Sequence, residues 1–330
     1  GMRSAVGDRL KPALGALKEA AVSHQDAHSA EWAAPAVIDD LLGARSRAWL
    51  ETPHGMRALA SEDAFHDHVA ELAAAVKTRD IGASSDDLSD LLVDVALGSP
   101  AVCALRALKR IAPELAWDDP RLLSAAAEVA WSFRALFNQH DAVALLRRDT
   151  DDHYWRRVLA YCAQHNLQAV LDEYAHYLVD AEGLGASPAV DRAIGVARAV
   201  AQALAIRPSQ IDVDDVRVDE ESLVISKFQM RGRFAMRLAD YKDEDGAVAR
   251  LGGVRDAFNS PFRPFVLATT SVGQEGLDFH PYCYRVYHWN LPGNPVDLEQ
   301  REGRVHRFKG HAVRLNLAER QAAVVSGRGQ

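Results

Sequence analysis

Residues 265–315 read FVLATTSVGQEGLDFHPYCYRVYHWNLPGNPVDLEQREGRVHRFKGHAVRL, and the fold expected of the chain turns on this stretch. Phe265 to Ala268 is an apolar run that ends in three hydroxyl residues, Thr269, Thr270 and Ser271. A loop bearing Gly273, Gly276 and Asp278 follows. Arg285 to Leu291 has the β-branched and aromatic content of a buried strand, which places Trp289 in the core. Asn294 as cap, Pro295 at the first helical position and Asp297 in the first turn mark a helix start. Ala312 to Leu317 reads as a third strand. Strand, loop, strand, helix, strand predicts an open α/β sheet with polar groups at its strand ends.

The predicted helix carries the chemistry. Gln300, Arg304 and Arg307 stand at i, i+4 and i+7, one face if the helix continues that far. Two arginines and an amide on one face suit an oxyanion rich in charge, such as a transferring phosphoryl group. The same segment also reads as an exposed helix in which Arg301 pairs locally with Glu299 and Glu302.

The order of the two segments adds to this. ATTSVGQEGLD (268–278) followed by QREGRVHR (300–307) resembles motifs V and VI of superfamily-two helicases and translocases. Motif VI in that superfamily reads Q or H, R, x, G, R, x, x, R, and every fixed position is met. The longer NPVDLEQREGRVHRFKGHAVR (294–314) is similar to one bacterial helicase branch with a large inter-lobe insertion. The resemblance is strong over roughly residues 222–317 and diffuse before them.

The resemblance implies an α/β fold, the C-terminal RecA-like helicase lobe with a parallel sheet and flanking helices, joined to a separate all-α domain. It implies that Arg304 and Arg307 are arginine fingers reaching the γ-phosphate of ATP, with Gln300 near that phosphate. Asp278 matches the acidic residue that contacts the ATP ribose, and Gly276 lets the backbone approach. Thr269, Thr270 and Ser271 match positions that touch the phosphate backbone of DNA or RNA. The phosphate loop G-x-x-x-x-G-K-[ST] of the family's first lobe does not occur in the sequence, and no DExx magnesium motif is read. The expectation is therefore the second half of an ATP-dependent motor. ATP and Mg2+ would be bound mainly by a first RecA-like lobe, supplied in cis or in trans, and this chain would not be active alone. The alternative expectation is a non-catalytic regulatory or interaction module derived from a helicase.

With 330 residues and 48% hydrophobic content, the chain has material for two domains with sizeable cores. Its formal charge of −8 is uneven: residues 222–330 hold 16 basic and 11 acidic side chains, a net +5, which leaves −13 for residues 1–221. A basic C-terminal part suits a lobe that meets phosphates. Cys103, Cys162 and Cys283 are far apart and form no CxxC pair, which argues against a disulfide framework or zinc ribbon and for a reducing, cytoplasmic setting. No apolar run approaches the roughly 20 residues that cross a bilayer, so no membrane partner is expected.

Residues 1–205 read as an α-helical domain, rich in alanine and leucine. Helix starts are marked at Ser99-Pro100, Asp119-Pro120, Asn166 and Ser187-Pro188, each ahead of an apolar period near 3.6. Residues 206–221 read as an acidic connector, and residues 222–330 as the lobe, with strands at SLVISKF and RFAMRLADY and a short helix at VRDAFNS. His24 and His28 have helical ligand spacing, but HQDAH lacks the glutamate of HExxH. His66 and His68 flank Asp67. Both pairs read as solvated helix faces, and no metal is expected.

Overall fold

The computed structural model describes residues 1–20, 29–41, 43, 49–50, 63–78, 80–82, 87–146, 153–205, 209–219, 222–232, 253–268 and 279–327. The chain divides into two compact units, Gly1–Ala201 and Gln202–Gln330.

The first unit is helical throughout its described elements. They are α1 (Met2–Ala20), α2 (Ala30–Leu41), α3 (Asp63–Thr78), α4 (Leu88–Gly98), α5 (Pro100–Ile111), α6 (Pro120–Phe137), α7 (His140–Leu146), α8 (Tyr154–Gln164), α9 (Leu167–Ala181) and α10 (Ala189–Leu204). Several starts follow the sequence signals. Pro100 and Pro120 each stand at a first helical position. The Asp119 carboxylate accepts from Arg121 N at 2.9 Å, and the Asn166 side chain accepts from Ala169 N at 3.3 Å. Each bond satisfies an amide that the first turn leaves without a helical partner.

Helices α2, α4, α5, α6 and α9 bury stripes at helical spacing. Ala30, Ala33, Ala34 and Val37 of α2 pack with Leu88, Leu91 and Leu92 of α4 and with Ile81. Small side chains on α2 let backbones approach closely, and the same device appears where α4 meets α8. A Cβ placed on Gly98 would lie 2.4 Å from Leu159 O and 3.0 Å from Ala163 N. Helix α5 lies against α6 and α9. Its Arg110 pairs with Asp172 of α9, and Gln168 of α9 donates to Cys103 O at 3.1 Å. Arg192 of α10 donates to Ile111 O at 2.7 Å, which satisfies a carbonyl in the last turn of α5.

The second unit corrects the expected fold class. Among the described residues its sheet is two-stranded and antiparallel, β1 (Ser209–Asp219) paired with β2 (Ser222–Gly232), with Asp219 opposite Ser222 and Ser209 opposite Gly232. No parallel sheet of the RecA type is present among the described residues. Strand β2 contains the predicted SLVISKF. Strand β1 lies where the composition reads as a connector: the acidic pair Asp214-Asp215 interrupts an apolar alternation, Ile211 and Val213 then Val216 and Val218, and hides it. RFAMRLADY lies outside the described residues.

The three strands expected in the 265–317 region are not strands. Residues 265–268 run outside helix and strand, with Phe265 76% and Val266 82% exposed. Residues 285–291 do the same, and Trp289, expected in the core, is fully exposed. Ala312–Leu317 belongs to α12 (His311–Gly327), which follows α11 (Pro295–Gly303). The physical reason is shared. A parallel strand is held by ladders to its neighbours, and no described strand lies beside 265–268 or 285–291 to supply one. For Ala312–Leu317 the alternation is outweighed by the strong helix formers that follow. Residues 253–258 are helical, as VRDAFNS predicts.

Buried residues in this unit include Ala257, Phe258, Phe262, Phe279 and Val305. Phe258 and Phe279 meet edge to face, 5.6 Å between centroids. Buried Ser260 is satisfied: its hydroxyl donates to Ala257 O at 2.6 Å and accepts from Phe262 N at 3.1 Å.

Candidate functional site

Helix α11 begins as the sequence dictates. The Asn294 side chain accepts from Val296 N at 3.1 Å, Pro295 occupies the first helical position, and Asp297 sits in the first turn, where the helix dipole favours an acid. Leu298 and Arg301 are half-buried at i and i+3, and Val305, just past the helix end, is buried. Arg301 donates to Asn290 O at 3.2 Å, and Glu302 lies 3.6 Å from His288 Nε2. These contacts reach the 288–290 segment.

The helix does not continue to Arg307, which corrects the single-face expectation. It ends at Gly303, with Arg304 as its C-cap in the right-handed region, and Glu302 O accepts from Val305 N at 3.0 Å and His306 N at 3.2 Å. Gln300 and Arg304 therefore keep their i, i+4 relation, while Arg307 stands in the loop beyond. The Arg307 guanidinium turns back and donates through Nε to Gly303 O at 3.3 Å. That carbonyl lies at the negative end of the helix dipole, a favourable place for a cation. Gln300 and Arg307 are exposed and Arg304 is half-buried. Gln300 thus stands in the last turn of α11, Arg304 at its end and Arg307 in the loop beyond.

The turn is set by residues that sequence reasoning passed over. Lys309 has φ 61, in the left-handed region. Gly310 is buried, and its amide donates to Arg307 O at 2.9 Å. A Cβ on Gly310 would meet Arg307 O at 2.9 Å and both His280 O and Val305 O at 3.4 Å. Only the Arg307 carbonyl is closer than a Cβ tolerates, so a side chain here would force that carbonyl to move. Gly310 O then starts α12 by accepting from Val313 N and Arg314 N, and His311 N donates to His280 O at 2.8 Å. The signal was available: a Lys-Gly pair directly before a helical run marks a turn.

Gly276, Asp278, Thr269, Thr270 and Ser271, the residues expected at the ribose and at the nucleic-acid backbone, lie outside the described residues. Of the histidines weighed as metal ligands, His68 packs edge-on against Trp32 at 5.5 Å, and His24 and His28 lie outside the described residues. Among the described residues no group of three His, Cys, Asp or Glu is placed to hold a metal ion. Burial pushes the Cys103 thiol up to about 11 and the Cys162 thiol up to about 12, so neither is a reactive thiolate at neutral pH. No single helix among the described residues is long and apolar enough to cross a membrane.

No curated protein and no solved structure matches the chain. Residues 253–309 match the family model of the helicase conserved C-terminal domain, a span that takes in the short helix at 253–258, all of α11 and the arginine-bearing turn. The match is narrower than the 222–317 stretch over which the sequence resembles helicases, and it includes neither the β1–β2 hairpin nor α12. Over residues 253–309 the chain is similar to the helicase conserved C-terminal domain, and that similarity is consistent with a helicase C-terminal lobe.

Proposed function

We propose that this chain supplies the arginine-bearing half of an ATP-dependent helicase or translocase of superfamily two, acting on DNA or RNA in the cytoplasm. The observation that supports the reading is QREGRVHR at 300–307 inside the matched domain, with Gln300 in the last turn of α11, Arg304 at its end and Arg307 in the loop beyond. ATP and its Mg2+ are held by a separate phosphate-loop lobe. Arg304 and Arg307 reach the γ-phosphate as charge develops on it, and Gln300 lies beside it. Gly276 and Asp278 meet the ribose, and Thr269, Thr270 and Ser271 contact the nucleic-acid phosphates.

The test is ATP turnover by a reconstituted protein that includes the phosphate-loop lobe. Arg304→Ala lowers kcat by about three orders of magnitude or more while nucleotide affinity changes little, because the lost interaction belongs to the transition state. Unchanged turnover removes the assignment. A second reading, a non-catalytic interaction module, is favoured by the exposed apolar side chains of Phe265, Val266 and Leu291, which offer a surface to a protein partner. Turnover that never depends on this chain would select it.

A further inference from the structure

We propose that the face built from residues 282–285 and 309–314 is a stacking platform for single-stranded nucleic acid, separate from the arginine group at the end of α11. It deepens the helicase reading and names residues that no nucleic-acid contact above uses. The His311 ring lies 5.8 Å from the Tyr282 ring and 5.2 Å from the Tyr284 ring. Two arginines lie over these rings. Arg285 lies over Tyr284 at 5.1 Å, Arg314 lies over Tyr282 at 5.0 Å, and Arg314 also donates to Lys309 O at 2.9 Å.

The parts divide their work. Arg314 donates to Pro281 O at 2.7 Å as well, so its guanidinium is committed to the backbone and positions Tyr282. Arg285 and Lys309 are exposed, and Tyr284 keeps 43% of its surface in solvent. The exposed Tyr284 ring beside exposed cations matches the chemistry of an unpaired strand, whose bases stack while its phosphates meet the charges. An acidic peptide would use the cations and leave the rings idle. A duplex hides its base faces and would do the same. Tyr287 and Trp289, 86% and 101% exposed on the same segment, extend the supply of rings beyond the cluster.

The experiment is fluorescence polarisation of a labelled oligothymidylate with the full chain, at a series of salt concentrations. Tyr284→Leu weakens binding about tenfold, while Tyr284→Phe stays within about twofold of the wild type, since only the phenylalanine keeps a π face. Circular dichroism of both variants shows that the fold is retained. Arg285→Gln flattens the slope of log affinity against log salt by about one. Equal binding by the leucine and phenylalanine variants overturns the proposal, as does failure of the wild type to bind. Duplex bound as tightly as the single strand removes base stacking. Displacement by polyglutamate as effective as by unlabelled oligonucleotide assigns the face to an acidic protein instead. Loss of turnover in Arg304→Ala is read in a different assay, so the arginine assignment and the platform stand or fall separately.

Discussion

At the scale of single residues, two positions show how local geometry fixes a consequence. Gly310 is the point where three carbonyls converge, so Gly310→Ala forces the Arg307 carbonyl to move. The expected cost is about 1–3 kcal/mol, read as a lower denaturant midpoint, whereas Gly303→Ala, with nothing within 4 Å of the added carbon, leaves the midpoint unchanged or raises it. Asp119 is the second. Its side-chain hydrogen bond from Arg121 holds its carboxyl below the ordinary carboxylate value. Because the folded value is the lower one, the cap contributes stability at neutral pH and loses it as pH falls below about 4 and through the folded value. Asp119→Ala removes about 1 kcal/mol at pH 7. The difference between wild type and variant shrinks in acid, and a difference that grows there would contradict the assignment. Neither effect is a matter of composition. The Asp119 cap is legible from Asp-Pro ahead of an apolar period, but the crowding at Gly310 depends on how the turn folds the Arg307 carbonyl back onto it.

At the scale of elements, the helices were legible because their signals are local. A capping residue or an N1 proline followed by a 3.6-residue apolar period needs nothing from elsewhere in the chain, and α5, α6, α9 and α11 start where those signals place them. The close approach of α4 to α8 was not legible, because Gly98 looks like an ordinary helix end until Leu159 and Ala163 are seen across from it. Gly98→Ala therefore destabilises the helical unit by about 1–3 kcal/mol, since the obstruction is backbone and cannot rotate away. Gly195→Ala is the control: its Cβ meets only the Leu184 side chain, at 3.1 Å, and the gain in helix propensity offsets the contact. Thermal denaturation of both variants checks this, and a Gly98→Ala protein as stable as the wild type would show that the two helices separate at little cost. Strands fared worse. Only β2 was read correctly among the described strands, because a short apolar run states what a residue prefers but not whether a neighbouring strand exists to receive it.

At the scale of the whole molecule, the described residues of the two units differ in how much apolar surface they bury. Among the described residues most of the buried apolar side chains, from Ala30 to Val200, lie in the first unit, whereas past Gln202 the buried set includes Ala203, Leu204, Ala257, Phe258, Phe262, Phe279 and Val305. Hydrogen exchange is expected to protect the amides of α5, α6 and α9 for longer than those of α11 and the turn that follows. Equal protection in both units would count against their division into a strong and a weak core. The purified chain by itself is expected to release no phosphate from ATP above background, with or without single-stranded nucleic acid, because arginine fingers stabilise charge but do not hold a nucleotide. Robust turnover by the chain alone would overturn the half-motor reading. The sequence by itself determined the helices that start at Pro100, Pro120 and Leu167, the start of α11, and the similarity to helicases around 300–307, since each rests on spacing and chemistry within a few residues. The tertiary structure alone decided that residues 265–268 and 285–291 are not strands, that the acidic stretch from Ser209 to Asp219 is one, and that Arg307 leaves the helix and turns back on its end. Strand formation and turn geometry depend on partners distant in the chain, and no local pattern reports whether those partners are in place.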